Sequence, residues 1–215
     1  KSLRALPEKW HGLSDVETRL RKRYLDMLTS PETRKMFAKK AKFWQAMRGF
    51  LEQNGFLEVD TPALEDVAGG ADATPFVTHH NALDRDFYLR ISLELPLKKI
   101  IVGGFEKIYE IGKVFRNEGI SSEHLQDYLE CEFYWAYADY EELMKFVEAL
   151  YKSVVKETTG SLVTAWQGNK LNWGKKWPRL DYYEVVEKEL KVRLADYDSV
   201  EKLRGLAQKL GLEIE

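Results

Sequence analysis

The sequence predicts an α+β fold in which an antiparallel sheet is flanked by helices. Two runs rich in aromatic and β-branched residues, Glu106 to Phe115 (EKIYEIGKVF) and Glu130 to Ala138 (ECEFYWAYA), have strand length and bracket a polar loop, the pattern of an antiparallel hairpin. Between Pro31 and Asn54 the apolar residues Met36, Phe37, Phe43, Trp44, Met47, Phe50 and Leu51 recur at helical spacing. Beyond the second strand, Asp139 and Glu142 form a D-x-x-E capping pattern for a helix running to about Thr159, and Gly160 stops it.

The remaining elements follow in chain order. A loop holding Pro7 and Gly12 precedes a stretch of helix-forming composition, Asp15 to Leu28, which ends near Ser30-Pro31. Pro31 suits the first position of the long helix, Asn54-Gly55 suits its stop, and the chain then enters a strand from Phe56 to Val59. Ser92 reads as the N-cap of a helix from Leu93 to Val102, with Pro96 tolerated near its first turn and Gly103-Gly104 ending it. Leu162 to Trp166 and Lys170 to Trp173 surround Gln167-Gly168-Asn169 as a small hairpin, and Asp181 and Ser199 cap two short C-terminal helices. No internal repeat or low-complexity linker interrupts this order.

Composition narrows the classes of function. With 215 residues, 44% hydrophobic and 32% charged, and a net charge of −2, the chain suits a soluble protein with one sizeable core. No apolar run approaches the roughly 20 residues needed to span a bilayer. Lone Cys131 excludes an internal disulfide or a multi-cysteine zinc site and suits a reducing, cytoplasmic setting, most simply as a small buried hydrophobe. Arg19 to Arg23 with Arg34, Lys35, Lys39, Lys40 and Lys42 is locally basic and reads mainly as a solvated helix face. The chain begins at Lys1, which points to a segment of something longer.

The stretch FRNEGISSEHLQDYLECEFY, residues 115–134, places a fixed cation, carboxylates, a histidine and two phenols around one loop. Arg116 stands at the loop end of one strand, and Glu132 and Tyr134, two positions apart, project from one face of the other. Such a face suits a small ligand with its own anionic and cationic ends. A plain cross-strand Arg–Glu pair is the simpler alternative.

FRNEG followed by an aromatic and acidic strand resembles motif 2 of the class II aminoacyl-tRNA synthetases. PEKWHGLSDVETRLRKRYLDML from Pro7, NGFLEVDTPAL from Asn54, GGADATPFVTHHNALDRDFYLRI from Gly69 and VGGFEKIYEIGKVFRNEGI from Val102 are similar to the lysyl members of that class, densely to about Tyr140 and more thinly beyond. The resemblance implies a partial class II catalytic domain over 1–215, incomplete at its C-terminus. Motif 1 would span about 31–64 and motif 2 about 106–138. Motif 3 and the preceding OB anticodon domain would be absent. Motif 1 would also build a homodimer.

The same resemblance implies lysine–tRNA ligase activity: lysine and ATP form lysyl-adenylate, and lysine passes to tRNA(Lys). Arg116 would bridge the amino-acid carboxylate and the α-phosphate, supplying alignment and transition-state electrostatics together. Glu118, His124 and Tyr128 would hold ATP with Arg116, the tyrosine stacking under adenine. Glu132 and Tyr134 would take the side-chain ammonium of lysine, and Glu94 with the backbone of Gly70 its α-ammonium. Without the resemblance, His124 reads as a solvated loop histidine and Glu94 as an exposed helix acid. The loop departs from the family in EHLQDY, so Leu125, Gln126 and Asp127 inherit no role. Magnesium would arrive with ATP, with no protein metal ligands in this chain; Asp72, His79 and His80 receive no chemistry. Two other readings stay open, a synthetase-like paralogue that lysylates a protein acceptor and a non-catalytic dimerisation or ligand-binding module.

Overall fold

The computed structural model describes residues 13–121 and 123–212. The loop expected around Pro7 and Gly12 lies outside them. The chain divides into two compact units, 1–174 and 175–215.

In the first unit the helix expected from Asp15 to Leu28 is two segments, α1 (Val16–Arg21) and α2 (Arg23–Thr29), interrupted at Lys22, whose φ of −111° and ψ of 48° leave the helical region. The interruption lets Arg19 on α1 and Arg23 on α2 both reach buried Asp26, at 2.8 and 2.6 Å, and Thr33 adds a hydroxyl at 3.0 Å. Much of the basic cluster is therefore structural. Arg21 pairs with Glu17, and Arg34 donates to the carbonyls of Met27 and Leu28 at the end of α2.

Helix α3 (Pro31–Gln53) begins with Pro31 at its first turn and Ser30 as N-cap, its hydroxyl accepting from the Thr33 N–H at 3.2 Å. It packs along α5 (Tyr140–Thr159), which opens with the full Asp139/Glu142 capping box and closes on left-handed Gly160, φ 79°. Between them and the main sheet lies a core of Leu51, Phe56, Tyr109 and Phe146, with Phe133, Trp135 and Cys131 against it.

The main sheet has the order β1 (Leu57–Glu58), β5 (Lys107–Phe115), β6 (Asp127–Trp135). The β5–β6 pair is antiparallel as expected, but β1 joins β5 in parallel. A long excursion through a second sheet separates β1 from β5 and supplies the crossover length that a parallel pair requires. That second sheet, β2 (Leu64–Glu65), β4 (Arg85–Leu89) and β3 (Val77–His80), was not apparent from sequence because its strands are only two to five residues long. α4 (Glu94–Val102) covers the opposite face of the main sheet through Leu93 and Leu97 on Ile108 and Val114. Its N-cap is Leu93 and not Ser92, which sits one residue further out and accepts the Glu94 N–H at 3.0 Å. β7 (Val163–Trp166) and β8 (Asn169–Asn172) form the small hairpin, turning through Gln167 and Gly168 at φ 48° and 80°.

The second unit holds α6 (Tyr182–Leu190), a 3-10 turn at Leu194–Asp196 and α7 (Val200–Lys209). Asp181 and Ser199 cap the two helices as expected, accepting from Glu184 N and Lys202 N. No helix among the described residues is long and apolar enough to cross a membrane.

Candidate active site

The β5–β6 register builds the site. Phe115 pairs with Asp127, so the second strand begins three residues before Glu130, where the sequence had placed its start, and it ends at Trp135. Arg116 is the first residue past the ladder, its backbone N–H donating to the Gln126 carbonyl at 2.9 Å. Glu132 stands opposite Glu110, far from Arg116 along the ladder, so these two are not a directly opposed cross-strand pair.

Directly opposed residues of an antiparallel pair share a face. One face therefore carries Tyr128, Glu130, Glu132 and Tyr134 against Val114, Gly112, Glu110 and Ile108, while Cys131 and Phe133 turn into the core under α3 and α5. Burial first, against the pull of Arg48 and with nearby carboxylates adding, pushes the Cys131 thiol up to about 12, so it stays protonated.

At the α4 end of this face, Glu132 is held from three sides. Its Oε1 accepts from the Ser92 hydroxyl at 2.8 Å and the Leu93 N–H at 2.9 Å, and its Oε2 accepts from the Tyr134 hydroxyl at 3.1 Å. Burial, followed by the charge of Glu132, raises the Tyr134 phenol, so it stays protonated and keeps donating. Gly70 lies beside the same corner with φ 86°, and a Cβ there would meet Glu94 Cβ at 3.0 Å and the Ser92 hydroxyl at 3.1 Å. A side chain at position 70 would close the approach that only bare backbone leaves open. Glu94 itself faces partly outward and pairs with Lys98 at 2.7 Å. Gly70, Glu94, Glu132 and Tyr134, expected together from the sequence, are thus neighbours.

At the loop end, Arg116, Glu118, His124 and Tyr128 line a single pocket of about 230 Å³, with Gly119, Glu123, Leu125 and Gln126 completing its wall. The Arg116 guanidinium lies over the Tyr128 ring, 5.6 Å from its centroid, within cation–π range. Burial, then Glu130, raises the Tyr128 phenol, with Arg116 acting the other way. Ser121 Oγ accepts from the backbone N–H groups of Glu123 and His124 and lies 2.7 Å from His124 Nδ1. With both backbone N–H groups on its oxygen, the serine hydroxyl is placed to donate to Nδ1, an arrangement in which Nε2 carries the ring N–H. Leu125 and Gln126 enter the wall despite their departure from the family pattern, while Asp127 turns to Lys113.

Sequence reasoning missed the support beneath the face. Arg90 and Glu110, both nearly inaccessible, pair at 2.6 Å. Arg90 also donates to the carbonyls of Lys113 and Thr61, and Glu110 accepts from the Thr61 N–H and hydroxyl at 3.2 and 2.6 Å. This network ties the segment after β1 to the middle of β5. Its signal was present in YEIG: a charged residue at an inward strand position, followed by a glycine two residues on. Ser92 was read as a helix cap and is instead an anchor for Glu132.

Comparison with known proteins places this geometry in a family. The model for class II tRNA synthetases of the aspartate, lysine and asparagine group matches residues 15–209. The chain belongs to that family. All 215 residues align at 50% identity with a lysine–tRNA ligase of Moorella thermoacetica and at 46% with those of Roseiflexus sp. and Bacillus cereus. The chain spans 44% of the length of the first two and 43% of the third. In this class II synthetase domain the hairpin β5–β6 is the element expected as motif 2, and α3 with β1 the element expected as motif 1.

Proposed function

We propose that this chain belongs to a lysine–tRNA ligase that activates lysine with ATP to lysyl-adenylate and passes it to tRNA(Lys). The observation that carries the reading is the division of charge along one strand face. A guanidinium lies over an aromatic ring at one end, and a carboxylate ringed by three donors stands at the other. Tyr128 and Glu132 are four residues apart, about 13 Å along a strand. Between such ends fit the carboxylate and phosphate at Arg116, adenine on Tyr128, and an ammonium at Glu132.

The residues divide the work as follows. The attacking group is the substrate's own carboxylate, so no protein nucleophile is needed. Arg116 draws that carboxylate and the α-phosphorus together and stabilises the charge that builds on the phosphate oxygens. Pyrophosphate leaves with the electron pair of the broken P–O bond. His124 Nε2–H and Glu118 serve the nucleotide, one donating to phosphate and the other accepting from the base. Glu132, preoriented by Ser92, Leu93 and Tyr134, selects a side chain ending in an ammonium. An aspartate side chain would require a cation there, so the family's aspartate and asparagine branches fit this pocket less well.

Magnesium is expected to enter with the nucleotide phosphates. Among the described residues no three His, Cys, Asp or Glu side chains gather to hold an ion. The proposed homodimer through residues 31–64 is supported by exposed apolar side chains on that segment, Met36, Phe37, Leu57 and Leu64.

Lysine-dependent ATP–pyrophosphate exchange by the whole gene product, with aspartate and asparagine as controls, tests the reading. Exchange with lysine alone is expected. Exchange with aspartate, or none with any of the three, would overturn it.

A further inference from the structure

One acid on the substrate face has no task in the scheme above. Glu130 stands between Tyr128 and Glu132 on β6, opposite Gly112, and is half-buried. Its Oε2 is buried and meets no donor, and the Nε of Arg116 is likewise buried and meets no acceptor. The two groups are within electrostatic reach of each other. Burial and then the Glu132 carboxylate push the Glu130 carboxyl up, and Arg116 draws it back down.

An unmet donor and an unmet acceptor of opposite charge on one face form a complementary pair, because each orphan costs free energy that a mutual bond recovers. Among the described residues no other cation is placed to act on Glu130. Tyr128 and Glu132 flank it on the strand, and Arg90, across from it, is committed to Glu110, Thr61 and the Lys113 carbonyl. A carboxylate this close to a bound carboxylate and phosphate would repel both unless a fixed cation stood between. Arg116 is that cation. A guanidinium presents five N–H donors in a planar fork, so an acceptor at Nε leaves the two Nη groups for other anions.

We propose that Glu130 is a positioning residue for Arg116: its carboxylate accepts the Nε–H of the guanidinium in the loaded site and aims both Nη groups at the substrate carboxylate and the α-phosphate. This role rests on the assignment of Arg116 made under Proposed function.

The test compares Glu130→Ala and Glu130→Gln with the unaltered whole gene product, by lysine-dependent exchange and by calorimetric binding of lysine alone and of ATP alone. Glu130→Leu, which keeps bulk without an acceptor, replaces the alanine variant should that one not fold. Loss of the acceptor is expected to lower the exchange kcat about 10- to 100-fold, the effect of a misaimed positioning group. ATP affinity should fall with it, and lysine affinity less. Glu130→Gln, whose amide carbonyl still accepts the Nε–H, should recover most of the lost kcat. An undiminished kcat without the acceptor, or tighter ATP binding, would overturn the proposal and leave Glu130 as a merely repulsive charge. So would a loss of lysine affinity in Glu130→Gln as large as in Glu132→Gln, which would make Glu130 an amine ligand. If the unaltered protein activates no lysine, the functional reading fails. The ATP-binding arm still judges Glu130, since nucleotide capture by Arg116 needs no amino acid.

Discussion

Substituting Gly112 by alanine should destabilise the protein, against the usual direction of such a change. Gly112 lies inside β5 with no left-handed backbone angle, so alanine fits its conformation and would ordinarily stabilise by about 0.4–1 kcal/mol through the unfolded chain. The surroundings reverse the sign. A Cβ at position 112 would come within 2.3 Å of Arg90 Nη2 and 2.7 Å of Glu110 Oε1, distances that real contacts do not reach. Those two side chains are 5% and 3% exposed, so neither can swing into water without opening the packed face. Breaking a buried pair of this kind costs roughly 3–5 kcal/mol because one charge is left uncompensated. Set against the entropic gain, the net loss is roughly 2–5 kcal/mol. Urea unfolding followed by tryptophan fluorescence would read it, with Trp135 and Trp44 both in the first unit. The same glycine change is then made in an Arg90→Met/Glu110→Leu background, where the clash has been removed and the loss should largely vanish. A loss below about 1 kcal/mol in the native background, or an equal loss in both, would show that the ion pair does not lie across Gly112.

Other consequences are as direct. Glu132→Gln removes the charge that selects the ammonium and should raise the KM for lysine roughly 10- to 150-fold, the equivalent of about 1.5–3 kcal/mol, with ATP affinity nearly unchanged. Steady-state exchange with each substrate varied in turn checks this. Tyr128→Ala removes the ring beneath the guanidinium and should weaken ATP binding by roughly 1–3 kcal/mol, measured by calorimetry, with lysine binding less affected. Asp26 is held below its ordinary 3.8 by Arg19 first, with Thr33 and Arg23 adding, so the folded chain binds a proton there less readily than the unfolded chain. Its contribution is therefore complete above about pH 4 and disappears as pH falls through the lowered value. Acid unfolding of Asp26→Asn should accordingly lose part of the steepness that the unaltered chain shows below pH 4.

Much of the architecture was legible locally. Capping residues and stops act within one turn of chain, so Ser30-Pro31, the Asp139/Glu142 box, Gly160, Asp181 and Ser199 marked helix ends without knowledge of the rest. The same holds for the Gln167-Gly168 turn, whose left-handed angles belong to its own two residues. The candidate site was legible by two other routes: Arg116, Glu132 and Tyr134 from their spacing on one hairpin, and Glu118, His124 and Tyr128 through resemblance. Gly70 and Glu94 came through resemblance, and the structure sets them beside that hairpin.

What the chain order could not determine is whatever depends on one segment meeting another far away. β1 runs parallel to β5 across a long excursion, and no property of FLEV states that direction. Ser92 satisfies every local rule for a helix cap, yet its hydroxyl serves Glu132, forty residues on, because α4 is laid across the sheet at that height. Arg90, Glu110 and Gly112 each look unremarkable alone, and their meaning appears only when a guanidinium is seen filling the space a side chain at 112 would take. Local propensities and caps are short-range and written in consecutive residues, whereas desolvation and charge pairing depend on the neighbours that only the folded chain supplies.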